Sequence, residues 1–313
     1  VKGGYLQALD DFSATHCVNE HFLEKLKILN GTYVLPLSVN YRGIFYNRRM
    51  LEEEGYQIPS TYAELINTMQ QIKKAGKLPI IFADKDSWTI HQGWDAIDMS
   101  SRGSQDDLFQ KVLNGDTFLY EDPIALDSTR KFLEIRKYSQ KQTINTGYDE
   151  AVKKFANGEV YMFLQGNWAY PMIKKINPDI DLLFMPFPAY SENQAKVVVK
   201  IDATLGVSAS CTHSEAVGQF LDYVFSKDVS EYYAEKAGAY SCIKSVDVAD
   251  SYAKAFTDSI HKGEFFLEEF AYESEKSEAR DALFQNFISS PQRNTETSFL
   301  KELNDLLILM KGD

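Results

Sequence analysis

The stretch YVLPLSVNYRGIFYN, residues 33–47, is the most informative segment of the chain. It begins as a connector around Pro36 and ends in a strand-like apolar run, Ile44-Phe45-Tyr46. Short apolar runs of this kind alternate with amphipathic helical patterns, which predicts α/β lobes with mostly parallel sheets. In such sheets, ligands bind beyond the carboxyl ends of the strands. Further strands are predicted at residues 79–82, 160–164, 182–185, 197–201 and 205–208.

Capping residues mark the boundaries of the predicted helices. Ser60 or Thr61 can cap one helix, and Gly76 follows it in the position usual after a C-terminus. A proline in the first turn marks another helix, which begins at Asp122-Pro123. Helices are also predicted at residues 150–156 and 168–175, and over most of the chain beyond residue 208. A helix near the N-terminus is predicted from an apolar face that comprises Phe22, Leu23, Leu26 and Leu29.

The bulk composition excludes several classes of function. The chain has 313 residues, which is about two typical domains, and 44% of its residues are hydrophobic. A net charge of −12 argues against binding to nucleic-acid phosphates or to anionic lipid. No apolar run is long enough to span a membrane. The three cysteines form no CxxC pair, so neither a disulfide framework nor a zinc site is indicated.

Motifs for catalysis are absent from the sequence. It contains no P-loop, no GxGxxG after a strand, no HExxH and no GxSxG. His16 and His21 are five residues apart, so they do not share a helical face for a metal and are expected at the surface. Acidic runs such as residues 52–54 are typical of solvated faces. We therefore expect no enzyme activity, no metal and no cofactor.

Four segments, in order along the chain, resemble one protein family, the extracellular solute-binding protein family 1 of the maltose-binding-protein type. GYLQALDDF (4–12) is similar to a stretch of the family's N-terminal lobe. Residues 33–47 resemble its first interlobe crossing, and GYQIPSTYAEL (55–65) resembles the helix that follows. FANGEVYM and GNW, between residues 155 and 168, resemble its F-x-x-G-x-x-A-M-x-x-x-G-x-W signature, with Tyr161 where the family often has Ala. MPFP (185–188) resembles its l-P-x-P.

The resemblance implies a two-lobed, type II periplasmic-binding-protein fold with the ligand cleft between two α/β lobes. Three crossings would join the lobes, near residues 38–42, 200–206 and 265–272. Family members carry about 80 to 100 further residues ahead of the GYL stretch, a large part of an ordinary lobe. The first lobe is therefore expected to be incomplete at its N-terminus. The lobe boundaries implied are 1–39 with 205–266 for the N-terminal lobe, and 40–204 with 267–313 for the C-terminal lobe.

The resemblance also assigns aromatic ligand contacts. Trp168 lies where the family has a sugar-stacking tryptophan, and the C–H face of a pyranose packs well on such a ring. The alternative is a core tryptophan at the start of a helix. Trp88 falls near another aromatic position of the family, whereas Trp94 is expected to be structural.

Polar ligand contacts are implied at the crossings. Asn40 and Tyr41 lie in the first crossing, and the Asn40 amide can both donate and accept hydrogen bonds. Asp202 lies in the second crossing, where its carboxylate can accept from two hydroxyl groups or can simply be a solvated hinge residue. Arg280 matches an arginine near the cleft, and a surface salt bridge is the alternative.

The function implied is capture of a sugar or oligosaccharide and its delivery to the permease subunits of an ABC importer. Such a protein is expected to be a monomer located outside the cell, in the periplasm or lipid-anchored at the membrane's outer face. Two alternatives remain open. A carbohydrate-active hydrolase would need two carboxyl groups about 5 to 9 Å apart. A sensor or interaction protein that reuses the fold would need a signalling partner.

Overall fold

The computed structural model describes residues 1, 3–102, 108–189, 196–246, 251–267, 274–290 and 295–309. Its helices are α1 (Ser13–Cys17), α2 (Glu20–Leu23), α3 (Arg48–Glu53), α4 (Tyr62–Lys74), α5 (Trp88–Ser101), α6 (Leu108–Asn114), α7 (Pro123–Arg136), α8 (Tyr148–Ala156), α9 (Ala169–Ile176), α10 (Ser214–Val224), α11 (Lys227–Ala237), α12 (Lys254–His261), α13 (Ser274–Ser289) and α14 (Glu296–Leu309). Its strands are β1 (Val34–Pro36), β2 (Ser38–Asn47), β3 (Ile80–Ile81), β4 (Met162–Gly166), β5 (Leu182–Met185), β6 (Val197–Ile201), β7 (Thr204–Gly206), β8 (Tyr240–Ser241) and β9 (Phe265–Leu267).

The capping predictions are confirmed where the sequence signal is local. Thr61 caps α4 and forms a capping box with Glu64, and Gly76 follows the helix with a φ of +77°. The Asp122 carboxylate accepts a hydrogen bond from the Ala125 backbone N–H at the start of α7. These interactions satisfy backbone groups that would otherwise lack partners at the helix ends.

The helix predicted through residue 29 is wrong. α2 ends at Leu23, and only a short 3₁₀ turn continues the chain to Leu26. Leu29 has a φ of +52° and a side chain that is 82% exposed. A left-handed backbone cannot continue a right-handed helix, so the apolar spacing over 22–29 does not represent one buried face.

Strand β2 is the centre of the main sheet. It pairs with β4, β5, β6 and β8, and all four pairings are antiparallel. The pairings of β3 with β4 and of β6 with β9 are parallel. The prediction of mostly parallel sheets is therefore wrong. Alternating strands and helices indicate the class of fold, but they do not determine the direction of a long strand that has neighbours at both of its ends.

Alternate residues of β2 face two different cores. Tyr41 and Phe45 belong to the core on one side of the sheet, which α8, α9 and α12 cover. Ile44 and Tyr46 belong to the core on the other side, which α5, α7, α13 and α14 cover. A strand that is buried on both faces reads as a nearly continuous apolar run. This explains why the sequence of residues 44–46 predicts a strand so clearly.

The three predicted crossings include parts of β2, β6 and β9, which are neighbouring strands of the main sheet. Val39 of β2 is opposite Ile201 of β6, and Val197 of β6 is opposite Phe265 of β9. The segment predicted as the second crossing, residues 200–206, includes β7, which forms a separate two-stranded sheet with β1. The end of the third crossing, residues 268–272, lies outside the described residues.

Candidate functional site

Three half-buried aromatic side chains converge at the starts of three helices. Trp88 is the first residue of α5, Tyr148 is the first residue of α8, and Trp168 immediately precedes α9. The ring centroids of Trp88 and Trp168 are 6.2 Å apart, with planes inclined by 49°. The centroids of Trp88 and Tyr148 are 5.1 Å apart, at 60°. Inclined rings at these distances form a shallow aromatic surface that keeps part of its area in solvent.

A glycine at the end of β4 allows the Trp168 ring to lie against the sheet. A Cβ atom added at Gly166 would come within 2.0 Å of the ring. Gly166 pairs with Arg42 of β2, so the indole lies next to the central strand. The indole Nε1 is buried and has no hydrogen-bond partner among the described residues. A buried donor without a partner is costly, and a ligand acceptor would remove that cost.

Three more polar atoms near this surface are also buried without a hydrogen-bond partner in the described part of the chain. The Asn40 Oδ1, Gln92 Oε1 and Tyr148 hydroxyl are buried without a hydrogen-bond partner among the described residues. Gln92 lies one turn beyond Trp88 on α5, and Asn40 lies two residues before Arg42 on the same face of β2. Burial raises the pKa of the Tyr148 hydroxyl, which therefore stays protonated and can donate. The set offers both donors and acceptors, as sugar hydroxyls require.

A cavity of about 420 Å³ opens beside Trp88 and Tyr148. This volume is within the range of small-molecule sites. The Asp86 carboxylate accepts a hydrogen bond of 2.6 Å from the Tyr148 backbone N–H, which fixes the start of α8 against the loop before α5. The cavity is lined by Lys85, Asp86, Trp88, Gly147, Tyr148, Asp149 and Glu150.

Asp202 connects the first two crossings. Its backbone N–H donates to the Ser38 carbonyl at 3.0 Å, and its carboxylate lies 3.5 Å from the Ser38 hydroxyl. The side chain is exposed, yet desolvation by nearby protein atoms raises its pKa. This position fits a hinge residue as well as a ligand contact, so both interpretations of Asp202 stay open.

Two of the predicted ligand residues lie in the interior. The Tyr41 ring is 2% exposed and stacks on Phe256 with a centroid distance of 4.5 Å, so it faces the core rather than a ligand. Arg280 is 4% exposed and pairs with the buried carboxylate of Asp95. The alternative of a surface salt bridge is therefore wrong, because the ion pair with Asp95 is buried.

The structural role predicted for Trp94 is confirmed. Its side chain is fully buried, and its indole N–H donates to the Thr129 hydroxyl at 3.0 Å. His16 and His21 are exposed, as predicted. Tyr148 and Gln92 were missed, because neither belongs to a motif and only their place beside Trp88 distinguishes them. The one local signal was at Tyr148, an aromatic residue directly after Gly147 at a helix start.

Residues 1–231 match the profile of the bacterial extracellular solute-binding protein family. The chain belongs to that family. It is 25% identical over 254 residues to a multiple sugar-binding protein of Streptococcus mutans, which covers 78% of this chain and 59% of that protein. It is 23% identical over 193 residues to the melibiose/raffinose/stachyose-binding protein MelE of Bacillus subtilis, covering 60% of this chain and 45% of MelE. The chain thus spans roughly half the length of these two relatives.

Solved structures of two-lobed solute-binding proteins share the fold. The solute-binding protein RafE in complex with raffinose superposes with a TM-score of 0.83 at 22% identity, over 99% of this chain and 82% of that one. The ligand-free form of RafE from Streptococcus pneumoniae gives 0.81 at 22% identity, over 99% of this chain and 80% of that one. A Bacillus licheniformis sugar transporter protein in complex with stachyose gives 0.77 at 21% identity, over 97% and 82%. At this identity the likeness establishes the fold alone.

Within the described ranges, no helix has the length and apolarity needed to cross a bilayer. The same residues contain no group of three or more His, Cys, Asp or Glu side chains that could hold a metal ion.

Proposed function

We propose that this protein binds a sugar or oligosaccharide in a cleft between two α/β lobes and delivers it to an ABC importer. The observation that carries the proposal is the aromatic surface of Trp88, Tyr148 and Trp168, together with the buried indole Nε1 that lacks a partner. An inclined aromatic surface accepts the C–H faces of pyranose rings, and free donors and acceptors beside it accept hydroxyl groups.

The kind of sugar is suggested by the relatives. One is named for binding multiple sugars, another for melibiose, raffinose and stachyose, and one superposed structure contains raffinose. We therefore propose a short oligosaccharide of this type, held by Trp88 and Trp168, with Asn40, Gln92 and the Tyr148 hydroxyl as polar contacts. Asp202 is a further candidate contact at the mouth of the cleft.

The adjacent strands β2, β6 and β9 support a proposal for the lobes and their hinge. We propose that residues 1–39 with 205–266 form one lobe and residues 40–204 with 267–313 the other, with Phe256 of the first lobe packed against Tyr41 and Phe184 of the second. Bending at the three adjacent strands would close the lobes on the ligand. The closed form would be recognised by permease subunits at the outer face of the cell membrane, and the protein would act there as a monomer without enzyme activity.

The test is ligand-dependent stabilisation, with raffinose, stachyose and melibiose as probes and maltose and xylobiose as further sugars. A sugar at a hundred times its dissociation constant should add about 2.7 kcal/mol to the free energy of unfolding. The melting temperature should then rise by a few degrees. The variant Trp168→Ala should lose this rise, because it removes both the stacking surface and the indole donor.

Trp94→Phe is the matched control, because it alters a buried tryptophan that does not face the site. This variant should melt at a lower temperature and still respond to the sugar. If no sugar stabilises the wild-type protein, or if Trp168→Ala responds as the wild type does, the proposal is wrong. Cleavage of the sugar during the assay would instead favour the hydrolase alternative.

A further inference from the structure

A cluster of buried charges lies next to the aromatic surface, and none of the proposed sugar contacts uses it. Asp95 of α5 is fully buried and is shared by two arginines. Its Oδ2 is 3.5 Å from the Nη1 of Arg42 on β2, and its Oδ1 accepts a hydrogen bond from Arg280 on α13. Both arginine side chains are at most 5% exposed. One carboxylate therefore joins three different elements of the fold.

A second polar pair joins the same two helices one turn away. The Nδ1 of His91 is 2.7 Å from the Oδ1 of Asp281, the residue that follows Arg280 on α13. With His91 neutral, the positive charges of Arg42 and Arg280 balance the negative charges of Asp95 and Asp281. Buried charges are tolerated when opposite charges are paired, and the loss of one member of such a set leaves another uncompensated.

The members of this cluster on β2 and α5 are close in sequence to residues of the proposed site. Asn40 is two residues before Arg42 on the same face of β2, and Gln92 is three residues before Asp95 on α5. Arg42 also pairs with Gly166, against which the Trp168 ring lies. A change in the relative position of β2 and α5 would therefore move both the polar and the aromatic parts of the site.

We propose that Asp95 is a positioning residue, which holds Arg42 and Arg280 together and so keeps β2, α5 and α13 in the arrangement that ligand binding needs. It does not touch the sugar. A site that is assembled before the ligand arrives binds more tightly, because the apparent dissociation constant rises as the competent fraction falls. As far as affinity is concerned, this inference rests on the proposed sugar-binding function.

The test compares Asp95→Asn with a matched variant, Asp98→Asn. Asp98 lies three residues further along the same helix, is also fully buried, and pairs with Arg102 at 2.6 Å. Both variants lose one buried negative charge. If Asp95 positions the site, Asp95→Asn should raise the dissociation constant for raffinose or stachyose about tenfold, as when the competent fraction falls to a tenth. Asp98→Asn should leave it within about twofold.

Hydrogen–deuterium exchange without any sugar makes the test independent of the ligand. Backbone amides in residues 38–42 and 165–169 should exchange faster in Asp95→Asn than in the wild type, and should be unchanged in Asp98→Asn. Equal exchange in the two variants would overturn the inference, even if no sugar bound. A wild-type protein that binds no sugar, but shows this difference in exchange, would refute the sugar-binding function and leave the positioning role standing.

Arg280→Lys serves if Asp95→Asn fails to fold. It keeps the positive charge but loses the forked geometry, so it should change exchange and affinity in the same direction by a smaller factor. A dissociation constant and exchange rates equal to those of the wild type would overturn the inference.

Discussion

The two ends of helix α5 differ in whether their buried polar groups have partners. At its C-terminal end, Arg102 binds Asp98 at 2.6 Å and Asp122 at 2.7 Å, and all three side chains are at least four-fifths buried. At its N-terminal end, the Gln92 Oε1 and the nearby Trp168 Nε1 are buried without a partner among the described residues. At the C-terminal end the charged side chains are paired with one another. At the N-terminal end, buried polar atoms have no hydrogen-bond partner among the described residues.

This difference separates stability from function. Satisfied buried polar groups hold a fold together, and unsatisfied ones reduce its stability unless something else binds them. The sequence of α5 does not reveal this difference between its two ends, because polar residues are spread over both of them. Three substitutions test the comparison, from the largest expected effect to the smallest.

The first substitution breaks the satisfied end. Arg102→Met leaves Asp98 and Asp122 without their shared cation, and should lower the free energy of unfolding by about 3 to 5 kcal/mol. Sugar affinity of the folded fraction at low temperature should stay within about twofold, since the change is remote from Trp88. Chemical denaturation and calorimetric titration measure the two quantities. A loss of affinity without a loss of stability would reverse the assignment of the two ends.

The second substitution uses pH at His91, beside Gln92 in the N-terminal part of the helix. Burial, followed by the charges of Arg280, Arg42 and Lys200, lowers the pKa of His91 well below its usual value. Below about pH 6.5 the unfolded chain therefore binds a proton that the folded protein does not, and stability falls as pH falls. Between pH 7 and pH 5 the wild type should lose more stability than His91→Gln, by up to about 2 kcal/mol.

His91→Gln keeps an amide that can donate to Asp281 but cannot titrate, so denaturant curves of the two proteins at both pH values isolate the histidine. Equal losses in the two proteins would mean that His91 titrates normally and is not held neutral by its surroundings.

The third substitution removes one of the buried polar atoms that lack a partner among the described residues. Asn40→Ala removes an acceptor that has no partner in the ligand-free protein, so the free energy of unfolding should change by no more than about 0.5 kcal/mol. The sugar would lose one hydrogen bond, and its dissociation constant should rise about tenfold. Thermal melting with and without raffinose checks both. A markedly destabilised variant would show that the Asn40 side chain is structural.

Local signals in the sequence predicted local structure well. The cap at Thr61, the proline start of α7 and the strands β5 and β6 depend on neighbouring residues, and the structure confirms each of them. The direction of β2 relative to its partners depends on chain segments far away, and it was predicted wrongly. The same distinction explains the error over residues 22–29, where apolar spacing could not reveal the left-handed backbone of Leu29.

The site was predictable only where a residue type carries its own chemistry. Trp88 and Trp168 were predicted as ligand contacts because tryptophan suits sugar faces and their positions matched the family, and the structure brings the two rings together. Arg280 was placed in the cleft, although a charge that pairs with a fully buried partner such as Asp95 is drawn into the interior. No spacing in the sequence joins Arg42, Asp95 and Arg280, because the fold alone brings β2, α5 and α13 together.

Strand β2 has a consequence for how the protein is made. Val39 is opposite Tyr240, and the other partners of this strand lie between residues 162 and 201. At typical rates of synthesis, roughly 10 to 40 seconds separate the emergence of β2 from that of β8. Pairing with β4, β5 and β6 can form earlier, but until β8 emerges the edge at Ser38 and Val39 lacks this partner, and unpaired edges attract other strands. Completion of the sheet therefore follows the synthesis of most of the molecule.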